Sequence, residues 1–135
     1  VSETYYNRDN LPQSKSNLKC PQQNDAFTVS DTTNGNGALT YPIGLITTDE
    51  AVLAGGSSKN SSYYLYSGNE YWTSSPGNFY GYSSRAYVKH VYSSGAAYYN
   101  DNVNDLSGVR PVINLKAEVL VQGSGTAEDP YHLSS

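Results

Sequence analysis

An aliphatic core of ordinary size cannot be assembled from this chain. Leu, Ile, Val and Phe supply only 25 of its 135 residues. So low a share signals disorder when net charge is high. Here the formal charge is only −4, and 14 tyrosines and one tryptophan stand in for the missing aliphatics. The composition therefore points to an ordered domain that uses aromatic and small polar side chains both inside and out. Its length fits one domain with a single core.

Composition also excludes function classes. Nucleic-acid binding needs a basic footprint, and eight Lys or Arg with no basic run do not make one. No stretch approaches the roughly 20 apolar residues of a membrane span. The chain starts at Val1 with no leader segment, which reads as an excised domain or a mature form. The one cysteine, Cys20, rules out an intramolecular disulfide; it is buried, paired with another chain, or reactive.

Residues 1–25 are polar, lack periodicity and read as an N-terminal arm or linker remnant, leaving 26–135 as the domain. Ala26 to Val29 is a strand candidate, and Asn34-Gly35-Asn36-Gly37 a tight turn. After the apolar run Tyr41 to Ile46, Thr47 and Glu50 have the spacing of a capping box. The pattern predicts a helix of about two turns with Ala51, Val52, Leu53 and Ala54 on its apolar face. Gly55-Gly56 ends it.

From Arg85 to Tyr92 the period changes to two. Ala86, Val88, His90 and Tyr92 fall on one face, Arg85, Tyr87, Lys89 and Val91 on the other. Ser93-Ser94-Gly95 turns the chain and Ala96 to Tyr99 returns it as a hairpin. Val109 to Leu115 and Glu118 to Gln122 read as strands, Gly123 to Thr126 as a turn, and Pro130 to Leu133 as the closing segment.

No catalytic constellation emerges. His90 and His132 have no sequence-adjacent nucleophile, Ser74 and Ser75 lack a nucleophile elbow, and no Cys/His set has zinc spacing. The best metal candidate is Asn100 to Asp105, whose alternating oxygens suit Ca²⁺ at Asp101 and Asp105. It lacks the glycine and bidentate Glu of an EF-hand, and Asn and Asp also gather in turns for their own hydrogen bonds. The reading is no cofactor, with Ca²⁺ as the alternative.

Three segments carry a resemblance: Ile43 to Glu50 followed by Gly55-Gly56, then Tyr71-Trp72-Thr73-Ser74-Ser75-Pro76, then Gly108-Val109-Arg110-Pro111-Val112-Ile113. In this order they resemble a bacterial branch of the C-type lectin-like fold, near the formylglycine-generating-enzyme type. The closing Gly125 to Tyr131 is similar to the last strand of domains on Gram-positive surface and pilin-like proteins. The resemblance covers roughly residues 26–133. It implies an α+β fold, a small twisted antiparallel sheet with one or two short helices and much loop. It also implies a ligand-binding or adhesive role at the cell surface, and in some such proteins diversification by a retroelement. The paired cysteines of the oxidase branch and the Ca²⁺- and sugar-binding triplets of true C-type lectins are absent, so those activities do not carry over.

The expected function is extracellular recognition of a protein or glycan, without catalysis. Tyr offers wide amphipathic contact at low entropy cost, and Ser, Gly and Asn add adaptable hydrogen bonds. The binding candidates are Asn78, Tyr80, Tyr82, Ser83, Ser84, Tyr98, Tyr99, Asn100, Asp101, Asn102 and Asn104. Trp72 is expected to anchor the core beside a Ser-Pro turn. Arg110 is expected to pair with a carboxylate or backbone carbonyls beneath the surface. Tyr41, Tyr71 and Tyr131 adjoin apolar residues and are expected to pack. The rival reading is a structural, pilin-like assembly subunit.

Overall fold

In a computed structural model, the protein is described at residues 16–19, 23–56, 59–97, 99–115, 119, 121–126 and 128–133. Cys20, Tyr98 and most of the N-terminal arm lie outside the described residues. The described part is α+β, with one short helix and antiparallel sheets. Strand β1 is Gly44–Leu45, helix α1 Thr48–Ala51, β2 Tyr71–Tyr80, β3 Arg85–Val91, β4 Tyr99–Asn102, β5 Pro111–Val112, β6 Val121–Gln122 and β7 His132–Leu133. The main sheet has the order β2-β3-β4, while β1 pairs with β5 and β6 with β7.

Helix α1 starts where the capping pattern places it. The Thr47 hydroxyl accepts from the Glu50 amide, and the Glu50 carboxylate accepts from the Thr47 amide at 2.7 Å. Two otherwise orphaned donors are thereby satisfied. A wider π-type turn, Val52–Gly56, continues the helix, and Gly55 at φ 127° breaks it. Only part of the expected apolar face is buried. Ala51 and Val52 are sealed, but Leu53 is exposed because the change of pitch turns it outward.

The core is small: Ile46, Ala51, Val52, Tyr71, Val91 and Ala97, with Leu65 and Val112 packed on it. A buried seam of hydroxyls makes up what the aliphatics lack. Thr73 Oγ1 donates to the Lys89 carbonyl at 2.7 Å and lies 3.2 Å from Thr48 Oγ1. It also accepts the Ser75 amide at 3.3 Å. Ser75 Oγ in turn accepts the Thr48 amide at 2.9 Å. One hydroxyl donor and two lone pairs on Thr73 are thus fully used. The seam ties the start of α1 to β2 and β3, and it follows the period of two in β2, where Tyr71, Thr73, Ser75 and Gly77 are buried.

Several expectations are corrected. Ala26 to Val29 is not a strand. Its backbone bonds across a loop to Asn36 and Leu39, and the Asp31 carboxylate accepts from the Thr33 and Asn34 amides, so local side-chain bonds displace a ladder. The Ser75-Pro76 step is no turn: β2 runs through it, with register shifts on both sides of Pro76. Such irregularities accommodate a residue that cannot donate to a ladder. The returning strand is not Ala96 to Tyr99 but β4, because Ala96 and Ala97 are drawn into the core first. Of Val109 to Leu115 only Pro111 and Val112 pair, since their partner β1 offers only Gly44 and Leu45.

Packing of the tyrosines is also uneven. Tyr71 is buried, but Tyr41 and Tyr131 are 69% and 66% exposed and do not pack as expected. The neighbours that suggested burial, Ile43 and Leu133, are themselves exposed. Tyr63 is buried in the loop before β2 and donates to the Gly95 carbonyl at 2.9 Å. Gly95 sits at φ 86°, and a Cβ there would meet the Asn60 carbonyl, so only glycine fits.

The seam generates a prediction. Thr73→Val keeps shape but removes the hydroxyl that three buried groups share. It should destabilise the chain by about 1–3 kcal/mol, read as a lower urea midpoint with unchanged slope. Wild-type stability in this variant would show that the seam contributes nothing.

Candidate functional site

Two regions of the main sheet gather chemically capable side chains. The first is the tip of the β2–β3 hairpin. Tyr80 and Arg85 pair across its base, and residues 81–84 form the turn. Ser84 takes φ 50°, a left-handed conformation uncommon for a residue with a Cβ. Tyr80 is exposed and stacks edge-on against Tyr87 at 5.5 Å, while Tyr82 is fully exposed. Ser83 and Ser84 are exposed beside it.

Strand β3 joins this tip to β4. The pairing Tyr87↔Asn102 and Val88↔Asp101 carries the second candidate segment alongside the first. Between them lies a depression of about 410 Å³ lined by Ser84, Arg85, Ala86, Asn102, Val103, Asn104 and Asp105. Asn78, Tyr80, Tyr82, Ser83, Ser84, Asn100, Asp101, Asn102 and Asn104 therefore occupy one hairpin tip and the neighbouring edge strand with its turn. They are not two free loops. Asn78 is half-buried within β2, and Asn100 is exposed on β4. Tyr99 is placed by its backbone, opposite His90.

The turn after β4 is held by Asp105. Its carboxylate accepts the Asn102 side-chain amide at 2.6 Å and the Asn102 backbone amide at 3.1 Å. The Asn102 side-chain bond is the main reason that the Asp105 carboxyl lies below its usual pKa. Asp105 thus closes a turn, and a side-chain interaction with Asp101 also helps to hold its carboxyl below the usual range.

Asp101 belongs to the second region, the sheet face opposite the hydroxyl seam. Trp72 lies directly across from His90 in the register. Glu70 is two residues before Trp72, and Asp101 two residues beyond Tyr99, the backbone partner of His90. The period of two places all of these on one face. His90 is 3% exposed, with its ring edge-on to Trp72 at 6.1 Å and to Tyr92 at 5.9 Å. Its Nε2 is 4.0 Å from an Asp101 carboxylate oxygen. One ligating atom each of Glu70, His90 and Asp101 falls within 4.8 Å of the others. Burial pushes the His90 pKa below its ordinary value, against the pull of Asp101 and Glu70.

Trp72 is half-buried on this face and is not among the core residues. Arg110 lies on the core side. It donates to the Leu65 carbonyl, which also accepts the Tyr71 hydroxyl at 3.1 Å, and its guanidinium stacks on the Tyr71 ring at 4.8 Å. The Gly108 segment brings it there by running parallel to β2. Trp72 donates to the Gly108 carbonyl and Gly108 to the Glu70 carbonyl, at 2.9 and 3.0 Å. A Cβ on Gly108 would lie 2.7 Å from the Glu70 oxygen, so the close approach requires glycine.

Sequence reading did not single out Glu70. Its local signal was the spacing of two between Glu70 and Trp72, but only the pairing register shows which residues face it. Comparison of the chain with protein-family models, with curated proteins and with solved structures returns no match in any of the three.

Arg110→Ala should lower stability by about 1–2 kcal/mol, from loss of the stacked cation and its carbonyl bond. Arg110→Lys should recover only part, because an ammonium lacks the planar guanidinium. Equal stability of Arg110→Ala and wild type in chemical denaturation would remove the contact from the account.

Proposed function

We propose that this chain is an extracellular recognition domain of C-type lectin-like kind that binds a protein or glycan through the β2–β3 tip and the adjoining β4 turn. The observation that carries the reading is the full exposure of Tyr82, beside exposed Tyr80 and the polar depression of about 410 Å³. A large aromatic held in water on a short turn contributes nothing to folding, whereas it suits a contact surface. Around it Ser84, Asn102 and Asn104 offer hydrogen bonds to polar ligands, and Arg85 offers a fixed charge.

The test is a glycan and surface-protein array probed with the chain, followed by titration of a binder. Tyr82→Ala should change stability by less than about 0.5 kcal/mol. It should weaken binding by about 2 kcal/mol, the scale of a hot-spot aromatic. A binder indifferent to both Tyr82→Ala and Tyr80→Ala would overturn the reading.

A second reading, an assembly subunit, is favoured by a different surface. Ile43 and Ile113 continue the β1–β5 register side by side, and both are exposed, with Tyr41, Val109 and Leu115 exposed nearby in the chain. Contiguous apolar patches of this kind mark interaction surfaces. Sedimentation analysis decides. Self-association abolished by Ile43→Asp and Ile113→Asp supports assembly, and a monomer at all concentrations rejects it.

A further inference from the structure

We propose that Glu70, His90 and Asp101 form a binding site for a divalent first-row transition-metal ion of the Zn²⁺ class. The site shares Asp101 with the recognition surface, but Glu70 and His90 lie toward the other end of the hairpin from Tyr82, and the site does not rest on the recognition reading. Three different chain positions supply it: the residue just before β2, the end of β3 and the middle of β4. Each is fixed by backbone pairing. The Glu70 carbonyl accepts the Gly108 amide at 3.0 Å, Trp72 pairs with His90, and Asp101 pairs with Val88.

The donor geometry is close to that of an assembled three-ligand site. The three ligating atoms lie within 4.8 Å of one another, and His90 Nε2 is 4.0 Å from the Asp101 oxygen. Around a tetrahedral zinc with bonds near 2.0–2.2 Å, neighbouring donors sit about 3.4 Å apart. Rotation of two half-buried carboxylates covers that difference while the sheet stays still. The imidazole needs no such movement, since the edges of Trp72 and Tyr92 flank it at 6.1 and 5.9 Å.

Charge and ligand type choose the ion. Two carboxylates brought against one imidazole repel each other when both are ionised, and a cation between them reverses that cost. One nitrogen with two oxygens suits Zn²⁺ and its neighbours in the first row, whereas Ca²⁺ takes six to eight oxygens. Three protein ligands leave a fourth position for water or a donor from a bound molecule.

Calorimetric titration of the chelator-stripped 135-residue chain with Zn²⁺ tests this. One equivalent should bind, and Co²⁺ in its place should give the visible bands of a four- or five-coordinate site. Glu70→Gln and Asp101→Asn should each weaken Zn²⁺ binding at least about tenfold, since even loss of an outer-shell partner costs that much. These two variants avoid replacing the buried imidazole. His132→Ala and Cys20→Ser, which remove the other nitrogen and sulfur donors, should bind as wild type. Absence of saturable binding overturns the site. So does affinity unchanged in both carboxylate variants, or lost in His132→Ala or Cys20→Ser.

Discussion

The hydroxyl of Thr73 is the constraint from which the rest of this structure follows. It joins β2 to the Lys89 carbonyl of β3 and to Thr48 at the start of α1, and Ser75 closes the same seam through the Thr48 amide. Buried polar groups are costly when unmatched and specifying when matched. A chain with so few aliphatics cannot fix the angle of its helix by bulk alone. The seam does so by direction: each donor has one acceptor. A one-residue slip of β2 in one direction would put Trp72 in place of the Thr73 hydroxyl, and in the other would put Pro76 in place of Ser75 and leave the Thr48 amide bare.

That fixed register decides what the opposite face carries. With Thr73 and Ser75 turned inward, Trp72 must turn outward, across from His90. Glu70 and Asp101 then follow on the same side. The aromatic and acidic character of this face is thus the complement of the polar core, not an independent feature. Arg110 closes the arrangement from the core side by stacking on Tyr71 and sharing the Leu65 carbonyl with its hydroxyl.

The hairpin tip depends on the same sheet in another way. Pro76, flanked by register shifts, lets β2 continue past the core as far as Tyr80. Beyond Asn78 its side chains have no core to meet and emerge into solvent. Exposure of Tyr80 and Tyr82 is therefore a consequence of strand length. The recognition and metal proposals share Asp101 but otherwise draw on opposite ends of one hairpin, so changes at Tyr82 and at Glu70 separate them although a single register positions both.

Local chemistry made some of this legible in advance. The Thr47–Glu50 capping box, the break at Gly55 and a strand from Arg85 onward are set by neighbours within a few residues, and all three appear where the sequence places them, although Lys89, His90 and Val91 are buried in succession where alternation is expected. The α+β class follows from the same local patterns. Long-range pairing decided the rest. Whether Ala96 or Tyr99 begins the return strand depends on which residues the core has room to take. Whether Trp72 faces in or out depends on Thr73 finding Lys89. Tyr41 and Tyr131 had apolar neighbours but no partner element to bury them. Glu70, His90 and Asp101 are far apart in the chain, and no periodicity within one segment measures the distance between strands. The sequence by itself determined caps, turns and strand period, because those are energies of adjacent residues. Only the tertiary structure decided which faces meet, because that depends on register between distant segments.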